Sequence, residues 1–307
     1  MRGCLIINPH AGSGEEASIL EEAVGALDDF TLLRSEEPGD ARRLAMDLGE
    51  DCGLVVAAGG DGTLHEVING LFDRETGKVR AAVGLVPLGT GNDFARTICI
   101  PDDPLIAFEL ARKGSRRALD LIDIEGAAIG SSVAVNLCSG GLAPHVDEQV
   151  TEEMKETWGP LSYLVGTAKS LTEAEGFQAR LIFDDGSEVE MNALSIVVAN
   201  GRTAGGGHPA APRADPEDGL LDVVVVPHME DGQIGALVAV AVAGDYLDHP
   251  EILFRRTRRV QVESTPAMWF NADGERVVAT PTAFTALKGA LTMVVGASYA
   301  RRSSASR

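Results

Sequence analysis

Short apolar runs alternate with stretches of helical period over the first part of the chain, up to about residue 125. This alternation is typical of β-α-β units, in which helices join parallel strands. The apolar runs predict strands at Cys4–Ile7, Phe30–Arg34, Gly53–Ala58 and Ala81–Val86. The stretches between them predict helices at Glu15–Leu27, Ala41–Leu48 and Thr63–Phe72, the second with Asp40 as its N-cap. We therefore expect a doubly wound α/β domain that binds ligands where strands end and helices begin.

From about residue 116 the pattern changes, because strand-like runs now follow one another through hairpin turns such as Asp184-Asp185-Gly186. The predicted strands are Leu119–Ile124, Val133–Leu137, Phe177–Phe183, Ser195–Ala199, Leu221–Val226, Arg259–Glu263 and Met268–Asn271. The predicted helices are Asp147–Thr157, Leu161–Ala174 and Gly232–Ala243. The fold class expected is α/β plus β, with a mostly antiparallel β second domain.

Composition fits this division and excludes one class of partner. A chain of 307 residues is long enough for two domains with their own cores. Its net charge of −20 repels nucleic acid phosphates, so we expect no nucleic acid partner. Anionic membranes are repelled too, so a membrane contact requires a local patch. The stretch Arg255–Arg259 is either that patch or a solvated charged segment leading into a strand.

The cysteines and the apolar stretches indicate a cytoplasmic protein. No apolar stretch approaches the ~20 residues that span a bilayer, and no signal peptide is visible. Cys4, Cys52, Cys99 and Cys138 are far apart in the sequence and lie in or beside apolar segments. We therefore expect buried free thiols in a reducing compartment and no disulfide framework.

Two glycine-rich loops carry the clearest chemical signal. Gly59-Gly60-Asp61-Gly62-Thr63 follows a strand and opens a helix, so its backbone N–H groups can approach a phosphate. Asp61 within such a loop indicates a bridging cation, and Mg²⁺ suits a carboxylate. A second loop, Pro87–Phe94, follows the fourth strand and offers Thr90, Asn92 and Asp93. Parallel strands place both loops on one edge of the sheet, which is hard to explain by turns alone.

Three other segments are ambiguous from the residues alone. Gly12–Ala17 superficially matches the dinucleotide fingerprint, but Arg34-Ser35-Glu36 stands where its acidic partner is expected. Asp273-Gly274-Glu275 ends a strand and offers Glu275 as a proton acceptor, although spacing alone favours a simple hairpin turn. Asp215–Gly219 suits a metal or a solvated turn equally.

Together these residues resemble the diacylglycerol kinase catalytic family, which includes bacterial lipid kinases and the sphingosine and ceramide kinases. The segments that carry the resemblance are Asn8-Pro9 with Gly12–Gly14, Ser35–Ala41, Gly59–Glu66, Pro87–Arg96, Asp215–Asp222 and Asp273–Glu275. The resemblance implies a two-domain lipid-kinase/NAD-kinase-like fold that holds ATP and Mg²⁺ between its domains. It implies a nucleotide-binding domain over 1–125 that is rejoined by about 289–300, a lipid-substrate domain over 126–288 and a disordered tail over 301–307.

The resemblance also implies roles for individual residues. The implied catalytic residues are Glu275 as proton acceptor, Asp273 and Asp61. The residues implied to bind ATP and Mg²⁺ are Asn8, Pro9, Gly12, Ser13, Gly14, Ser35, Gly59, Gly60, Asp61, Gly62, Thr63, Leu64, His65, Glu66, Thr90, Asn92 and Asp93. A structural Mg²⁺ is implied at Asp215, Asp218 and Leu220, through the side chain of Asp218 and the carbonyls of the other two.

Two segments depart from the family pattern. Gly141-Leu142-Ala143-Pro144 stands where an aspartate-containing stretch is common, and His208-Pro209-Ala210 replaces bulkier apolar residues. Both lie where the family's acceptor would sit, so the nucleotide chemistry is better defined than the acceptor. Diacylglycerol, a sphingoid base, phosphatidylglycerol and an isoprenoid alcohol all stay open.

The function expected is therefore transfer of the γ-phosphoryl group of ATP to a lipid hydroxyl. The partners expected are a lipid alcohol and, during turnover, the membrane surface, with a homodimer left open. One alternative is an NAD kinase, which shares the G-G-D-G-T loop. Another is a non-catalytic protein, which is either a nucleotide-binding sensor or a Rossmann-type cofactor protein that binds NAD(H) through the Gly12–Ala17 loop.

Overall fold

The computed structural model describes residues 2–12, 14–49, 51–126, 132–141, 176–229 and 246–300, in two compact units. Unit 1 comprises residues 1–121, 215–218 and 287–307, and unit 2 comprises residues 122–214 and 219–286. The helices predicted at Asp147–Thr157, Leu161–Ala174 and Gly232–Ala243 and the predicted tail 301–307 lie outside the described residues. No helix in the described ranges has the length and apolar character needed to cross a membrane.

Unit 1 is an α/β unit. Its elements are β1 (Arg2–Ile7), α1 (Glu15–Gly25), β2 (Phe30–Arg34), α2 (Asp40–Met46), β3 (Cys52–Gly59), α3 (Asp61–Leu71), β4 (Phe72–Asp73), β5 (Lys78–Val79), β6 (Ala82–Pro87), α4 (Asp93–Thr97), α5 (Pro104–Lys113), the start of β7 (Arg116–Gly126) and the end of β19 (Thr282–Val294). Strands β1, β3 and β6 are buried almost throughout, as expected for central strands of a parallel sheet.

The sheet of unit 1 is parallel, in the order β2-β1-β3-β6, and β19 lies beside β6 through the pair Met293↔Val83. Helix α1 turns Ala17, Leu20 and Val24 inward at helical spacing. Helices α1 and α5 pack together, as do α2 and α3. The four strands predicted here are confirmed within one or two residues, and every connection between neighbouring strands leaves from the same sheet edge.

Unit 2 is antiparallel. Besides the rest of β7 and β19, its strands are β8 (Ser132–Ala134), β9 (Leu137–Gly141), β10 (Phe177–Phe183), β11 (Glu188–Ala199), β12 (Thr203–Ala204), β13 (His208–Pro209), β14 (Leu221–Pro227), β15 (Leu253–Thr257), β16 (Arg259–Thr265), β17 (Trp269–Ala272) and β18 (Glu275–Ala279). The strand order is β18-β17-β9-β11-β10-β16-β19, with β14 joining β11 to β15. The predicted turn at Asp184-Asp185-Gly186 is confirmed between β10 and β11.

Two hydrophobic clusters line this sheet. One contains Phe270, Phe284 and Ala272 with the aliphatic residues of β10, β11 and β14. The other contains Leu137, Ala199 and Val224 and packs against the segments around residues 204–214 and 246–252. Since neighbours along a strand point to opposite faces, Asn271 between Phe270 and Ala272 lies on the face away from the first cluster.

Three local predictions are wrong. The single strand Val133–Leu137 is two strands, β8 and β9, because the chain bends at Val135-Asn136, where backbone groups bond to a side chain. Asp40 is the first residue of α2 and not its N-cap, which is Gly39. The carboxylate of Asp40 instead accepts hydrogen bonds from the N–H groups of Glu36 and Glu37 before the helix.

The third wrong prediction concerns Cys4 and Cys52, which form a disulfide. They are 48 residues apart in sequence but lie on the adjacent strands β1 and β3, with Cα atoms 6.4 Å apart. The pairing could not be predicted from the sequence, because the number of residues between two cysteines does not reveal the register of the parallel strands that carry them. Cys99 and Cys138 are free thiols as predicted, and burial raises the pKa of the Cys138 thiol.

The arginines of Arg255–Arg259 are mostly engaged in ion pairs within unit 2. Arg255 pairs with Asp185 at 3.0 Å, and Arg256 pairs with the buried Asp222 at 3.1 Å. Arg259 pairs with Glu125 at 3.1 Å. These contacts favour the interpretation of the stretch as a charged pair of strands over that of a free cationic patch.

Candidate functional site

The loops of unit 1 that follow β1, β2, β3 and β6 lie on one edge of the parallel sheet. The residues predicted to bind nucleotide on this edge are Asn8, Pro9, Gly12, Gly14, Ser35, Gly59–Glu66, Thr90, Asn92 and Asp93. Ser13, also predicted, lies outside the described residues. Parallel strands bring these distant segments together because all their carboxyl ends point the same way.

The glycines make the loops touch each other. Leu88 N–H donates to the Gly59 carbonyl at 3.0 Å, and a methyl group on Gly89 would lie 2.5 Å from Gly60 Cα. Gly12 has a φ of +66°, and a methyl group there would lie 2.5 Å from the carbonyl oxygen of Leu88. Three loops therefore meet at backbone-to-backbone distance, which only residues without side chains allow.

Asp61 joins the two glycine loops through its side chain. Its Oδ2 accepts a hydrogen bond from Asp93 N–H and its Oδ1 one from Phe94 N–H, both at 3.1 Å. These N–H groups open helix α4, whose own N-cap, Asn92, makes no side-chain cap bond. Asp61 is thus the cap of a helix 32 residues later in the sequence.

Two carboxylates flank Gly91. A methyl group on Gly91 would lie 2.9 Å from Oδ2 of Asp61 and 3.5 Å from Oδ2 of Asp93. Arg96 donates to the Gly91 carbonyl and lies 3.8 Å from the Asp93 carboxylate. The donor set therefore fits Mg²⁺, which binds proteins through one or two carboxylates and takes its other ligands from phosphates and water.

Asn92 gives the second loop its shape. It adopts a left-handed φ of 50°, accepts from Gly89 N–H at 3.1 Å and donates from Nδ2 to the Gly89 carbonyl at 2.6 Å. Thr90 lies between these residues and is exposed. The loop is therefore held from within while its hydroxyl faces solvent, as a ligand contact requires.

Glu66 connects α3 to the loop that carries Ser35. Its carboxylate accepts from Gly39 N–H at 2.8 Å and from Arg42 N–H at 3.3 Å, which caps the start of α2. Asp40 shapes the same loop, and its hydrogen bond with Arg43 lowers the pKa of its carboxyl group. Ser35 itself is buried.

The helix starts at this edge differ in how their N–H groups are used. Asp61 caps α4 and Glu66 caps α2, whereas α1 and α3 begin after Gly14 and Gly60 with no side-chain cap from those residues. Helix N-termini attract anions through their N–H groups and partial positive charge. Thr63, Leu64 and His65 have buried side chains, so a phosphate would meet the backbone of this turn.

Asp273 and Glu275 lie in the β17–β18 hairpin of unit 2. Asp273 (φ 50°) and Gly274 (φ 97°) form its turn. The Asp273 carboxylate accepts from the N–H groups of Val135, Asn136 and Leu137 at 2.8, 2.9 and 3.1 Å. Glu275 is exposed at the start of β18.

The acidic turn Asp215–Asp218 packs within unit 1. Asp120 N–H donates to the Pro216 carbonyl at 2.7 Å, and Arg117 pairs with Glu217 at 2.7 Å. Asp215 is buried and accepts from Glu217 N–H. Within the described residues no group of three or more histidine, cysteine, aspartate or glutamate side chains forms a metal cluster.

Sequence reasoning found the loops but missed the bonds that link them. Asp61, Glu66 and Asp273 each cap backbone far away in the sequence, and no local motif marks such a cap. The sequence offered one indication of these caps, namely an acidic residue such as Asp61 that stands among glycines and has no cation near it in the sequence.

Comparison with known proteins finds relatives of both parts of the chain. Residues 2–124 match the family model of the diacylglycerol kinase catalytic domain, and residues 137–295 match the YegS C-terminal NAD kinase beta sandwich-like domain. A protein of Pseudomonas aeruginosa named "Probable lipid kinase YegS-like" is 34% identical over 258 residues, which cover 83% of this chain and 81% of the relative.

Two other similar proteins cover nearly the whole chain. A diacylglycerol kinase of Staphylococcus saprophyticus is 27% identical, over 94% of this chain and 93% of its own. The crystal structure of a diacylglycerol kinase from Bacillus anthracis superposes with a TM-score of 0.77 at 27% identity, over 96% of this chain and 97% of its own. The predicted two-domain fold class is confirmed by these matches.

Proposed function

Because the chain belongs to the diacylglycerol kinase catalytic family, we propose that it transfers the γ-phosphoryl group of ATP to a hydroxyl group of a lipid alcohol. The predicted membership of a lipid kinase family is confirmed, and it makes the chain a transferase. The observation that carries the proposal is the meeting of the two glycine loops, Gly60 against Gly89, with the carboxylates of Asp61 and Asp93 on either side of Gly91.

ATP would be held by the loop edge of unit 1. In the proposal the backbone around Gly12, Gly14 and Gly60 cradles its phosphates and Thr90 offers a hydroxyl. The residues 1–125 and 289–300 form the nucleotide-binding part, and residues 126–288 receive the acceptor. Asp61 and Asp93 would hold Mg²⁺, which when bound neutralises charge on the phosphates.

Glu275 is the proposed proton acceptor. The acceptor hydroxyl would give its proton to this carboxylate while its oxygen bonds to the γ-phosphorus and the bond to the ADP oxygen breaks. Asp273 would position the turn that carries Glu275, because its carboxylate binds three backbone N–H groups. Most of the rate acceleration would come from this positioning and from charge neutralisation.

A second, structural Mg²⁺ at Asp215, Asp218 and Leu220 remains part of the proposal. The ion would draw on the carbonyls of Asp215 and Leu220 and on the Asp218 side chain, a set of oxygen ligands that Mg²⁺ accepts. The buried, inward-turned Asp215 carboxylate fits a role for its carbonyl rather than its side chain. Transient contact with the membrane surface and a cytoplasmic location complete the proposal.

The decisive experiment incubates the protein with labelled ATP, Mg²⁺ and a panel of lipids in mixed micelles, followed by identification of the product. We expect one phosphorylated lipid, and Glu275→Gln should lower kcat at least about a hundredfold while ATP binding stays unchanged. Glu251→Gln, at another exposed glutamate of unit 2, is the matched control.

The same assay separates the two alternatives. ATP-dependent formation of NADP⁺ from NAD⁺ without lipid phosphorylation would replace the proposal with an NAD kinase. Binding of NAD(H) but not of ATP would replace it with a non-catalytic cofactor protein. Full activity of Glu275→Gln would remove Glu275 as the proton acceptor.

A further inference from the structure

The side-chain oxygen of Asn136, Oδ1, is buried and has no hydrogen-bond partner. The residue is only 4% exposed, and its Nδ2 donates to the Thr203 carbonyl at 2.9 Å. This bond fixes the orientation of the amide, because a carbonyl accepts from the NH₂ group only. The Oδ1 atom then faces the other way and has no hydrogen-bond partner. A buried acceptor left unpaired costs free energy, so such an atom needs an explanation.

The frame around Asn136 holds its backbone in place. Asp273 binds the Asn136 N–H at 2.9 Å, and the N–H groups of Asn200 and Gly201 both donate to the Asn136 carbonyl, at 2.8 and 2.7 Å. The backbone of the residue is thus held from two sides by charged and backbone partners. A binding group must be held rigidly in its binding geometry before the ligand arrives, and Asn136 is held in this way. A simple packing defect would not need such a rigid frame.

Two other shielded atoms without hydrogen-bond partners share this frame. Oδ1 of Asn271 lies two residues before Asp273, on the sheet face away from the first cluster. Nε2 of His208 lies on the hairpin β12–β13, in which Ala204 pairs with His208 and whose Thr203 holds the Asn136 amide. The hairpin also carries apolar surface, since Ala204 and Ala210 pack against the second cluster.

We propose that Asn136, Asn271 and His208 form the polar end of the acceptor pocket and bind a hydroxyl group other than the one that is phosphorylated. This inference rests on the proposed lipid kinase function. An amide oxygen accepts hydrogen bonds only, so the ligand must bring donors. The reacting hydroxyl gives its proton to Glu275, so it cannot satisfy these oxygens. The ligand therefore carries a second donor besides the reacting hydroxyl, and we assign this donor to a free hydroxyl of the lipid headgroup next to the reacting position.

The test compares two acceptors that differ in this group alone. Monooleoylglycerol has two free hydroxyls, whereas hydroxypropyl oleate keeps the chain and the terminal hydroxyl but lacks the second one. We expect kcat/KM of the wild type to be at least about tenfold higher for monooleoylglycerol, because the analogue leaves buried acceptors unpaired. Asn136→Ala and Asn271→Ala should bring this ratio close to one.

Asn192→Ala is the matched control. Asn192 also has a shielded, unpartnered Oδ1, but it lies on β11 seven residues before Ala199, away from the frame. Its substitution should leave the acceptor ratio at the wild-type value. Thermal unfolding and ATP binding check that each variant is folded, and the partly exposed Asn271 provides a milder substitution should Asn136→Ala not fold.

Two results would overturn the inference and leave the kinase function intact. One is equal kcat/KM of the wild type for the two acceptors. The other is an unchanged acceptor ratio in a folded Asn136 or Asn271 variant. If the folded protein binds ATP yet phosphorylates no lipid in the panel, the proposed function itself fails and this inference with it.

Discussion

At the residue scale, the site depends on the contact between Gly60 and Gly89. The loops after β3 and β6 come within backbone contact there, and the same approach brings Asp61 to the start of α4. A side chain on Gly89 would meet the backbone of Gly60 at 2.5 Å and push the two loops apart. The spacing of the two loops thus depends on the absence of a side chain at Gly60 and Gly89.

Gly89→Ala should separate the loops and weaken ATP binding at least about tenfold, because its Cβ would lie 2.5 Å from Gly60 Cα. Isothermal titration with an ATP analogue measures this directly. Gly25→Ala is the control, since a methyl group at this position of α1 would have no neighbour within 4 Å. It should keep full affinity, and equal binding by both variants would contradict the importance of the contact.

At the scale of elements, helices in unit 1 supply each other's caps. Helix α3 carries Asp61 for α4 and Glu66 for α2, while its own N-cap residue, Gly60, has no side chain that could cap it. The loops on the sheet edge are therefore ordered by neighbouring helices and not by their own residues. A substitution of a capping residue in α3 will therefore disturb loops that are distant in sequence.

Glu66→Ala removes the cap of α2 and should cost about 1 kcal/mol of stability, the usual value of a lost N-cap. We also expect a raised KM for ATP with a smaller change in kcat, because the Ser35 loop would lose its anchor. Chemical denaturation and steady-state kinetics measure the two effects. Glu22→Ala, on the exposed side of α1, should change neither; a normal KM in Glu66→Ala would separate the cap from nucleotide binding.

The elements that sequence predicted well are those with strong apolar runs. Strands β1, β3 and β6 are buried almost throughout, so composition alone marks them. Helices α4 and α5 were missed because α4 has only five residues and α5 starts among prolines and aspartates. The glycine loops were found because their residue types are rare outside phosphate-facing turns.

Sequence could not predict contacts that depend on register. The disulfide between Cys4 and Cys52, the caps made by Asp61 and Glu66 and the grip of Asp273 on Val135–Leu137 all join residues far apart in the chain. For Asp61, Glu66 and Asp273 nothing nearby marks the partner, since the partner groups are backbone N–H groups that every segment has, and for the two cysteines the sequence separation gives no indication of the pairing. Only the folded register selects them.

At the scale of the whole molecule, the repulsion that comes with a net charge of −20 competes with the ion pairs on the surface. Several described pairs are exposed on both sides, such as Arg180 with Glu188 and Glu263, and exposed pairs contribute only about 0–1 kcal/mol each. Repulsion among the excess carboxylates acts over the whole surface and opposes the compact state. Salt screens both terms, so its net effect reveals the larger one.

Raising KCl from about 0.1 M to about 1 M shortens the screening length from ~10 Å to ~3 Å and should raise the midpoint of thermal unfolding. The change reflects weaker repulsion among the carboxylates. Differential scanning calorimetry in KCl measures it, and sucrose of matched osmolality controls for preferential exclusion. A midpoint that falls with KCl would show that the ion pairs dominate.

Unit 1 contains segments from both ends of the chain, and this has a consequence during synthesis. Unit 1 is assembled from three separate stretches, and Met293 of β19 pairs with Val83 of β6 only after the intervening unit has been translated. Until then the flank of β6 is an unprotected strand edge that can pair with a neighbouring chain. A nascent chain arrested before residue 287 should therefore be prone to misassembly. We expect purified fragments that end there to aggregate more readily than the full chain.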